Sequence, residues 1–435
     1  MAAQSTGAFT DLGASEDLYY TDPANCKVES IPVEYNTRFT QDFSNKSAGS
    51  STFIVPPGNG LKHVVICLGY ASTNAAVRAQ TGENPLAKGW GYNAIQQISF
   101  RIGGSSQYFT TGAQLLAANL RMVRTQTQAQ ALLNLGGSEY ATAAELAAPA
   151  APLFAYVVVP VWCAPSNDGL GVPLPADCLA QQVQITCQLN PASQFWINNG
   201  IAPIVNAPPQ SFDTAFFQVE QMCMVDRGMA ISNHVDLNTH ELLMPVTFHQ
   251  QELQVAIPAN SNNAGSPAQI TLTGFRSGQV KAIQVWATLN RSVAAGTGTL
   301  AQQQSDVANQ LVWIAPSAIT VLYAGTIYAQ YTNGTSPIWN LLDGTKPVDV
   351  STFQLSLAAT PATTTSVASQ YVVLPFGNVT GADYEAKVLT HGKPILNGLV
   401  NLQVVMPDAN PYTLHVQYIY NSTLVFSKSS AEFRF

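Results

Sequence analysis

The chain has 435 residues and a mass of 46.4 kDa, room for about two to four domains at roughly 100–200 residues each. Charged residues are only 10% of it, against about 25% in an ordinary soluble protein, and the net charge is −7. That balance excludes a protein that coats nucleic acid through a basic face, and so few charges suit a surface covered by other copies.

The apolar share, 46%, is ample for a core. The opening stretch, MAAQSTGAFTDLG, lacks a basic start followed by an apolar run, so no secretory signal is expected. Short β runs then dominate, punctuated by Gly, Pro, Asn and Ser. The first half is expected to hold strands at Ser51–Val55, Lys62–Leu68, Ile95–Ile102, Phe154–Val161, Gln182–Leu189 and Phe216–Val225. Residues 182–189 alternate apolar with Gln and Thr, which puts one face in a core and one face out. A helix is expected over about Ala113–Leu135, where Leu115, Leu116, Asn119, Leu120 and Val123 follow helical spacing and Gly136-Gly137 would stop it. It reads as an insertion between strands. The longest apolar stretch, Ala147–Ala164, is broken by Pro149, Pro152 and Pro160, so no run reaches the roughly eighteen residues of a membrane helix.

A boundary is expected near Pro203–Ser211, where Pro203, Pro208 and Pro209 make a stiff connection that cannot join a sheet centre. It divides the chain into two pieces, 26–210 and 211–435, each long enough for an eight-stranded sandwich. The second piece is expected to carry strands at Val246–Phe248, Leu253–Ile257, Gln269–Thr273, Val280–Leu289, Ala318–Tyr323, Phe353–Leu357, Tyr371–Leu374, Leu399–Val405, Tyr412–Tyr420 and Leu424–Phe426. Polar stretches at Ala259–Pro267, Ala294–Gln304 and Ala358–Ser369 read as exposed loops. So many short strands point to sandwiches rather than βαβ units. No residue-level repeat links the halves.

Residues that could carry chemistry are sparse. The cysteines, Cys26, Cys67, Cys163, Cys178, Cys187 and Cys223, form no C-x-x-C pair and read as buried free thiols. His234 and His240 bracket Asp236 near Glu241, but their spacing matches no metal-ligand pattern, so they read as loop residues. His63 and His415 read as outward strand positions. Glu139, Glu145, Glu220 and Asp226 are scattered along the chain. A glycosidase needs two carboxyl groups facing across a cleft, which sequence alone does not reveal. With 25 acids some pair falls close by chance, so no such pair is assigned. The stretch Ile102–Ser105 is explained better by a hairpin turn than by a phosphate cradle. Five N-x-S/T sequons, at Asn45, Asn290, Asn333, Asn378 and Asn421, fit chance in a chain rich in Asn, Ser and Thr. No catalytic, cofactor-binding or metal residue is assigned, and the chain is not expected to be an enzyme.

Several segments, in order, resemble the major capsid proteins of nucleocytoplasmic large DNA viruses and their relatives, the virophages and Polinton-like viruses. Ala94–Ser106 is similar to that family's strand ending in an I-G-G turn before a helical insertion. Leu153–Cys163, Gly169–Ala176 and Gln182–Leu189 resemble its apolar strand, G-x-A-L-P-L segment and amphipathic strand. Phe216–Met229 looks like the strand opening the second domain, with Asp226-Arg227 as its acid-Arg end. Gly274–Trp286 resembles F-N-H-P-V-K-E-L-x-W, with Arg276-Ser277-Gly278 replacing N-H-P, and Tyr412–Phe435 resembles the closing strand pair.

The resemblance implies an all-β double jelly roll, two eight-stranded sandwiches in tandem with the helical insertion in the first. Met1–Asn25 would be an N-terminal arm. It implies a homotrimer forming a pseudo-hexameric capsomer that tiles the icosahedral shell of a double-stranded DNA virus. The partners implied are the chain itself, neighbouring capsomers, minor capsid and penton proteins and an internal membrane, with no direct nucleic-acid contact and no cofactor. The implied location is the virion, assembled in a cytoplasmic virus factory. Rival readings are a viral scaffold protein of the same fold, a double jelly-roll glycan-active enzyme or sugar-binding protein, and a single jelly roll with a protruding domain.

Overall fold

Short runs rich in β-branched residues pair into antiparallel sheets. The computed structural model describes residues 49–55, 61–70, 89–102, 106–122, 126–137, 153–160, 182–191, 214–221, 242–263, 265–272, 279–290, 313–332, 352–358, 364–376, 393–394, 398–426 and 431–434. The first group of strands is β1 (Ser50–Ile54), β2 (Leu61–Tyr70), β3 (Ile95–Ile102), β4 (Ser106–Thr110), β5 (Leu153–Pro160), β6 (Gln184–Leu189) and β7 (Thr214–Gln221). They form one sheet of order β1-β6-β3-β4 and another of order β5-β2-β7. The alternation read at 182–189 holds: Val183, Ile185, Cys187 and Leu189 are buried, while Gln184, Thr186 and Gln188 turn outward. β3 and β4 pair antiparallel with Ile102 opposite Ser106, which is the expected hairpin.

The second group starts with β8 (Leu242–Ile257), β9 (Ala268–Thr271), β10 (Gln279–Leu289), β11 (Ala318–Tyr323) and β12 (Thr326–Thr332). It continues with β13 (Thr352–Ala358), β14 (Thr364–Gln370), β15 (Val372–Pro375), β16 (Lys393–Pro394), β17 (Val400–Val405), β18 (Tyr412–Phe426) and β19 (Ala431–Arg434). One sheet has the order β12-β11-β17-β9. The other runs β15-β10-β18, with β8 and β19 also on β18 and β16 on β10. β13 and β14 pair only with each other among the described residues.

The two groups share one wiring. Replacing β1, β6, β3 and β4 by β9, β17, β11 and β12 converts the first sheet of one group into that of the other. The same substitution takes β5, β2 and β7 to β15, β10 and β18. Helices occupy the connection between β4 and β5, and the β13–β14 hairpin occupies the matching connection between β12 and β15. A repeat invisible in residue identities is therefore present in strand order, over seven strands of each group among the described residues.

Several expectations need correction. The single helix expected over 113–135 is two, which follow the short α1 (Trp90–Ala94): α2 (Gly112–Met122) and α3 (Gln126–Leu135). Residues 123–125 between them lie outside the described residues; in sequence they include two β-branched side chains, Val123 and Thr125, which lower helix propensity. The loop expected over Ala358–Ser369 contains β14, whose Thr364, Thr365 and Val367 are β-branched and pair with β13 from Thr364↔Ala358 to Gln370↔Thr352. Residues 246–248 and 253–257 belong to one 16-residue strand, and 412–420 and 424–426 to one 15-residue strand. These two run antiparallel along their whole length, with a bulge at Val416/Gln417. β12, β16 and β19 are not among the expected strands, and β4 is implied only by the expected hairpin turn. Asn260, at φ 67, turns the stretch at 258–263, which is exposed as expected except at the buried Ser261. The expected boundary at 203–211, the arm at 1–25 and the loop at 294–304 lie outside the described residues. β7, expected to open the second half, hydrogen-bonds to β2 in the first.

The buried apolar residues of both groups form one continuous cluster, in which Leu116 and Leu120 of α2 join Val285, Leu402 and Leu414. α3 ends where two glycines approach aromatic rings. Gly137 has φ +120, and a Cβ there would lie 2.5 Å from Trp90, while one on Gly136 would lie 2.4 Å from Tyr92. The amides of Gly89 and Gly91 donate to the carbonyls of Gly137 and Gly136, tying α1 to the end of α3.

Candidate functional site

His415, Cys67 and Cys187 are held neutral. His415 is 8% exposed on β18 rather than facing solvent as its alternation suggested. Its ring stacks on Trp286 with centroids 5.4 Å apart. Gln254 Nε2 donates to Nδ1 at 3.3 Å, which leaves Nε2–H to donate to Thr288 Oγ1 at 2.9 Å. Burial lowers its pKa from 6.5 to about 4, so the ring is neutral near pH 7 and both nitrogens are engaged. Burial raises the Cys67 thiol to about 11 and the Cys187 thiol to about 12, far from a reactive thiolate. Both are free and buried, as expected. Cys26, Cys163, Cys178 and Cys223 lie outside the described residues, as do His234, Asp236, His240, Glu241, Glu139, Glu145 and Asp226. His63 and Glu220 fall opposite each other on β2 and β7. Among the described residues no group of three or more His, Cys, Asp or Glu could hold a metal.

What the residues do build is a joint between the two sandwiches. Thr111 and Gln114 cap α2 reciprocally: the Thr111 amide donates to Gln114 Oε1 at 2.7 Å, and the Gln114 amide to Thr111 Oγ1 at 3.4 Å. One side of α2 is fixed to the first sandwich, where Asn119 Nδ2 donates to the Val158 carbonyl at 2.9 Å and to Tyr92 Oη at 3.3 Å. The other side meets the second. Gln284 of β10 and Gln417 of β18 stand directly opposite each other in the ladder, and both are fully buried. Gln284 Nε2 donates to the Ala117 carbonyl and Gln417 Nε2 to the Gln114 carbonyl, each at 3.3 Å. Neither Oε1 accepts a hydrogen bond from the protein.

The joint covers a sheet face that would otherwise be wet. Ile283, Val285, Leu414 and Val416 alternate with Gln284, Trp286, His415 and Gln417, and both sets are buried. Val373 of β15, opposite Gln284, is 2% exposed. Trp313 stacks on Trp286 with centroids 4.9 Å apart. The matching face of the first sandwich differs. On β5, Ala155, Val157 and Val159 point into the core, while Phe154 and Tyr156 remain 36% and 37% exposed. Val65, opposite Val158, is half-buried on the same side. Gln284 and Gln417 were missed in the sequence. The available signal was a lone amide inside a strand apolar on both faces, as in Ala282-Ile-Gln-Val-Trp.

No family model matches the sequence, and no curated protein matches it. Solved structures do. PBCV-1 VP54, fitted into a cryo-EM reconstruction of the virophage Sputnik, aligns with a TM-score of 0.60 at 8% identity over 91% of this chain and 96% of that one. The quasi-atomic model of the PBCV-1 virus capsid aligns at 0.57 and 9% identity, over 91% and 96% of the two chains. The fold is the double jelly roll of viral major capsid proteins. The Faustovirus major capsid protein shares it, at a TM-score of 0.55 and 10% identity over 89% of this chain and 90% of that one. At such identities the likeness lies in the arrangement of the strands. The double jelly roll here keeps its joint, its helical insertion and the matching wiring of its sandwiches.

Proposed function

We propose that this chain is a major capsid protein, a structural protein rather than an enzyme. Three copies would associate as a pseudo-hexameric capsomer that tiles the icosahedral shell of a double-stranded DNA virus. The observation that carries this reading is the repeated wiring. Two sandwiches of one strand order in one chain, taken three times, supply six similar wedges around an axis. The pairing of β7 with β2 and of β8 with β18 supports a division between the sandwiches after Gln221 and before Leu242.

The composition supports the same reading. With 10% charged residues, flanks of neighbouring tiles can touch without stripping water from many ions, which is costly. With His415 neutral and Cys67 and Cys187 protonated near pH 7, these three groups offer neither a charged acid nor a thiolate, which is in keeping with a structural role. The fold shared with capsid proteins of PBCV-1 and Faustovirus favours a place in the virion. Minor capsid and penton proteins, and a membrane beneath the shell, are the further partners such a tile would meet.

Light scattering on the purified full-length chain tests the proposal. A particle of three times 46.4 kDa is expected, and a monomer across the accessible concentration range overturns it. Mass spectrometry of mature particles separates a shell protein, present in high copy, from a scaffold of the same fold that is lost on maturation.

A further inference from the structure

We propose that the joint between the two sandwiches is a water-binding site, in which one buried water bridges Gln284 Oε1 and Gln417 Oε1. The site lies within one chain, so it does not depend on the capsomer. Gln284 and Gln417 face each other in the β10–β18 ladder, and both are 0% exposed. Each donates through Nε2 to α2, at the Ala117 and Gln114 carbonyls. A carbonyl only accepts, so neither amide can turn over without setting oxygen against oxygen. Each Oε1 is thereby held on the other prong of its amide, and neither accepts from the protein.

The spacings agree with a bridge. Gln114 and Ala117 are three residues apart on α2, a rise of about 4.5 Å along a helix. Opposed ladder residues hold their Cβ atoms about 4.5–5.5 Å apart. Two amides held side by side at that spacing leave their oxygens within the span of one water. With bonds of about 2.8 Å, a water joins oxygens up to about 5.6 Å apart.

The donor set selects water over an ion. Two carboxamide oxygens call for a molecule that gives two hydrogens. Trp286, two residues from Gln284 on the same face, supplies the complement: its buried Nε1–H donates to no protein acceptor. Diagonal neighbours on a sheet face lie within reach of aromatic side chains. A water that donates twice and accepts once makes the three bonds usual for a buried water. A hard cation would ask for about six oxygens and would sit beside the hydrogens of Nε2 and Nε1.

The ladder is also irregular here. The β18–β8 register shifts between Val416 and Gln417, and bulges of that kind re-aim a side chain. Val373, opposite Gln284, is buried, as are Gln114, Leu116 and Ala117 of α2. A water enclosed by these residues exchanges with bulk only when α2 lifts from the sheet, which makes it long-lived.

A high-resolution crystal structure of the full chain tests this directly. One density peak is expected between the two oxygens, about 2.7–3.0 Å from each. No peak, a direct bond between the two amides, or a peak ringed by five or six oxygens at cation distances overturns the inference. In solution, oxygen-17 relaxation dispersion counts long-lived waters. The double variant Gln284→Met and Gln417→Met keeps side chains of similar length and removes both oxygens. It should hold one long-lived water fewer than the wild type, whereas Gln188→Met, on the outward side of β6, should keep the wild-type count. An equal count in the folded double variant overturns the inference. If that variant does not fold, the density in the wild type decides alone.

Discussion

Acidifying this protein should weaken it through one residue. Unfolded, His415 would accept a proton near pH 6.5, whereas folded it does so only at about 4, because its ring is buried. Its neighbours Trp286, Gln254 and Thr288 offer no negative charge to stabilise an imidazolium. The folded state therefore binds fewer protons between those values. The stability linked to His415 is complete above pH 6.5, falls as the pH drops towards 4, and changes no further below that. A separation of 2.5 pH units at about 1.36 kcal/mol each amounts to about 3 kcal/mol, a large part of a typical stability. Denaturant titrations at fixed protein concentration, from pH 7.5 to 4, measure it in the wild type and in His415→Phe. The variant keeps a ring on Trp286 and cannot titrate there. It should start less stable and lose about 3 kcal/mol less on acidification, since all other titrating groups are common to both. Parallel stability curves would refute the reasoning.

Iodoacetamide at pH 8 should leave Cys187 unmodified in the native protein and alkylate it after denaturation, as peptide mapping would show, because its thiol is raised to about 12 and faces the core. Rapid native labelling of Cys187 would contradict its burial. Gln417→Glu would place a buried carboxylate against the Gln114 carbonyl, so a loss of about 3 kcal/mol or more is expected at pH 7 by thermal melting, partly recovered at low pH. An unchanged melting temperature would mean that α2 does not sit on β18. Gly112→Ala should be severe, because the new Cβ would lie 1.8 Å from the Tyr92 carbonyl oxygen. Gly398→Ala meets nothing within 4 Å and should cost only the left-handed penalty of about 1–2 kcal/mol at φ +76. Equal soluble yield and melting temperature for the two variants would contradict that packing.

Much of the fold was legible because its strands obey the two-residue period. Gln184–Leu189 alternates as read, and the bounds of β3 and β11 match the expectation. β14 was hidden because its Thr and Ser residues look like a polar loop, and only pairing with β13 makes a strand of them. β8 was split because Gln250, Gln251 and Glu252 interrupt its apolar pattern. His415, Gln284 and Gln417 failed for a different reason. Alternation correctly set them opposite the apolar face that holds Leu414 and Val416. It could not reveal that α2, 167 residues from Gln284 and 303 from Gln417 at their hydrogen-bonded partners, closes that second face. The local pattern flags Gln284 as a lone amide in an apolar strand, but the helix that receives it lies too far off in sequence to be read from that pattern.

The β8–β18 ladder sets a mechanical scale. Fifteen residues of extended chain at about 3.4 Å each make a beam about 50 Å long. Tension along that beam loads its rungs in shear, all together, whereas force across it would peel them one by one. If the beam stands upright in a shell wall, internal pressure stretches the wall sideways and never pulls along the ladder. Lateral load then passes to the flanks between sandwiches, so rupture should begin at the seams and leave each beam whole.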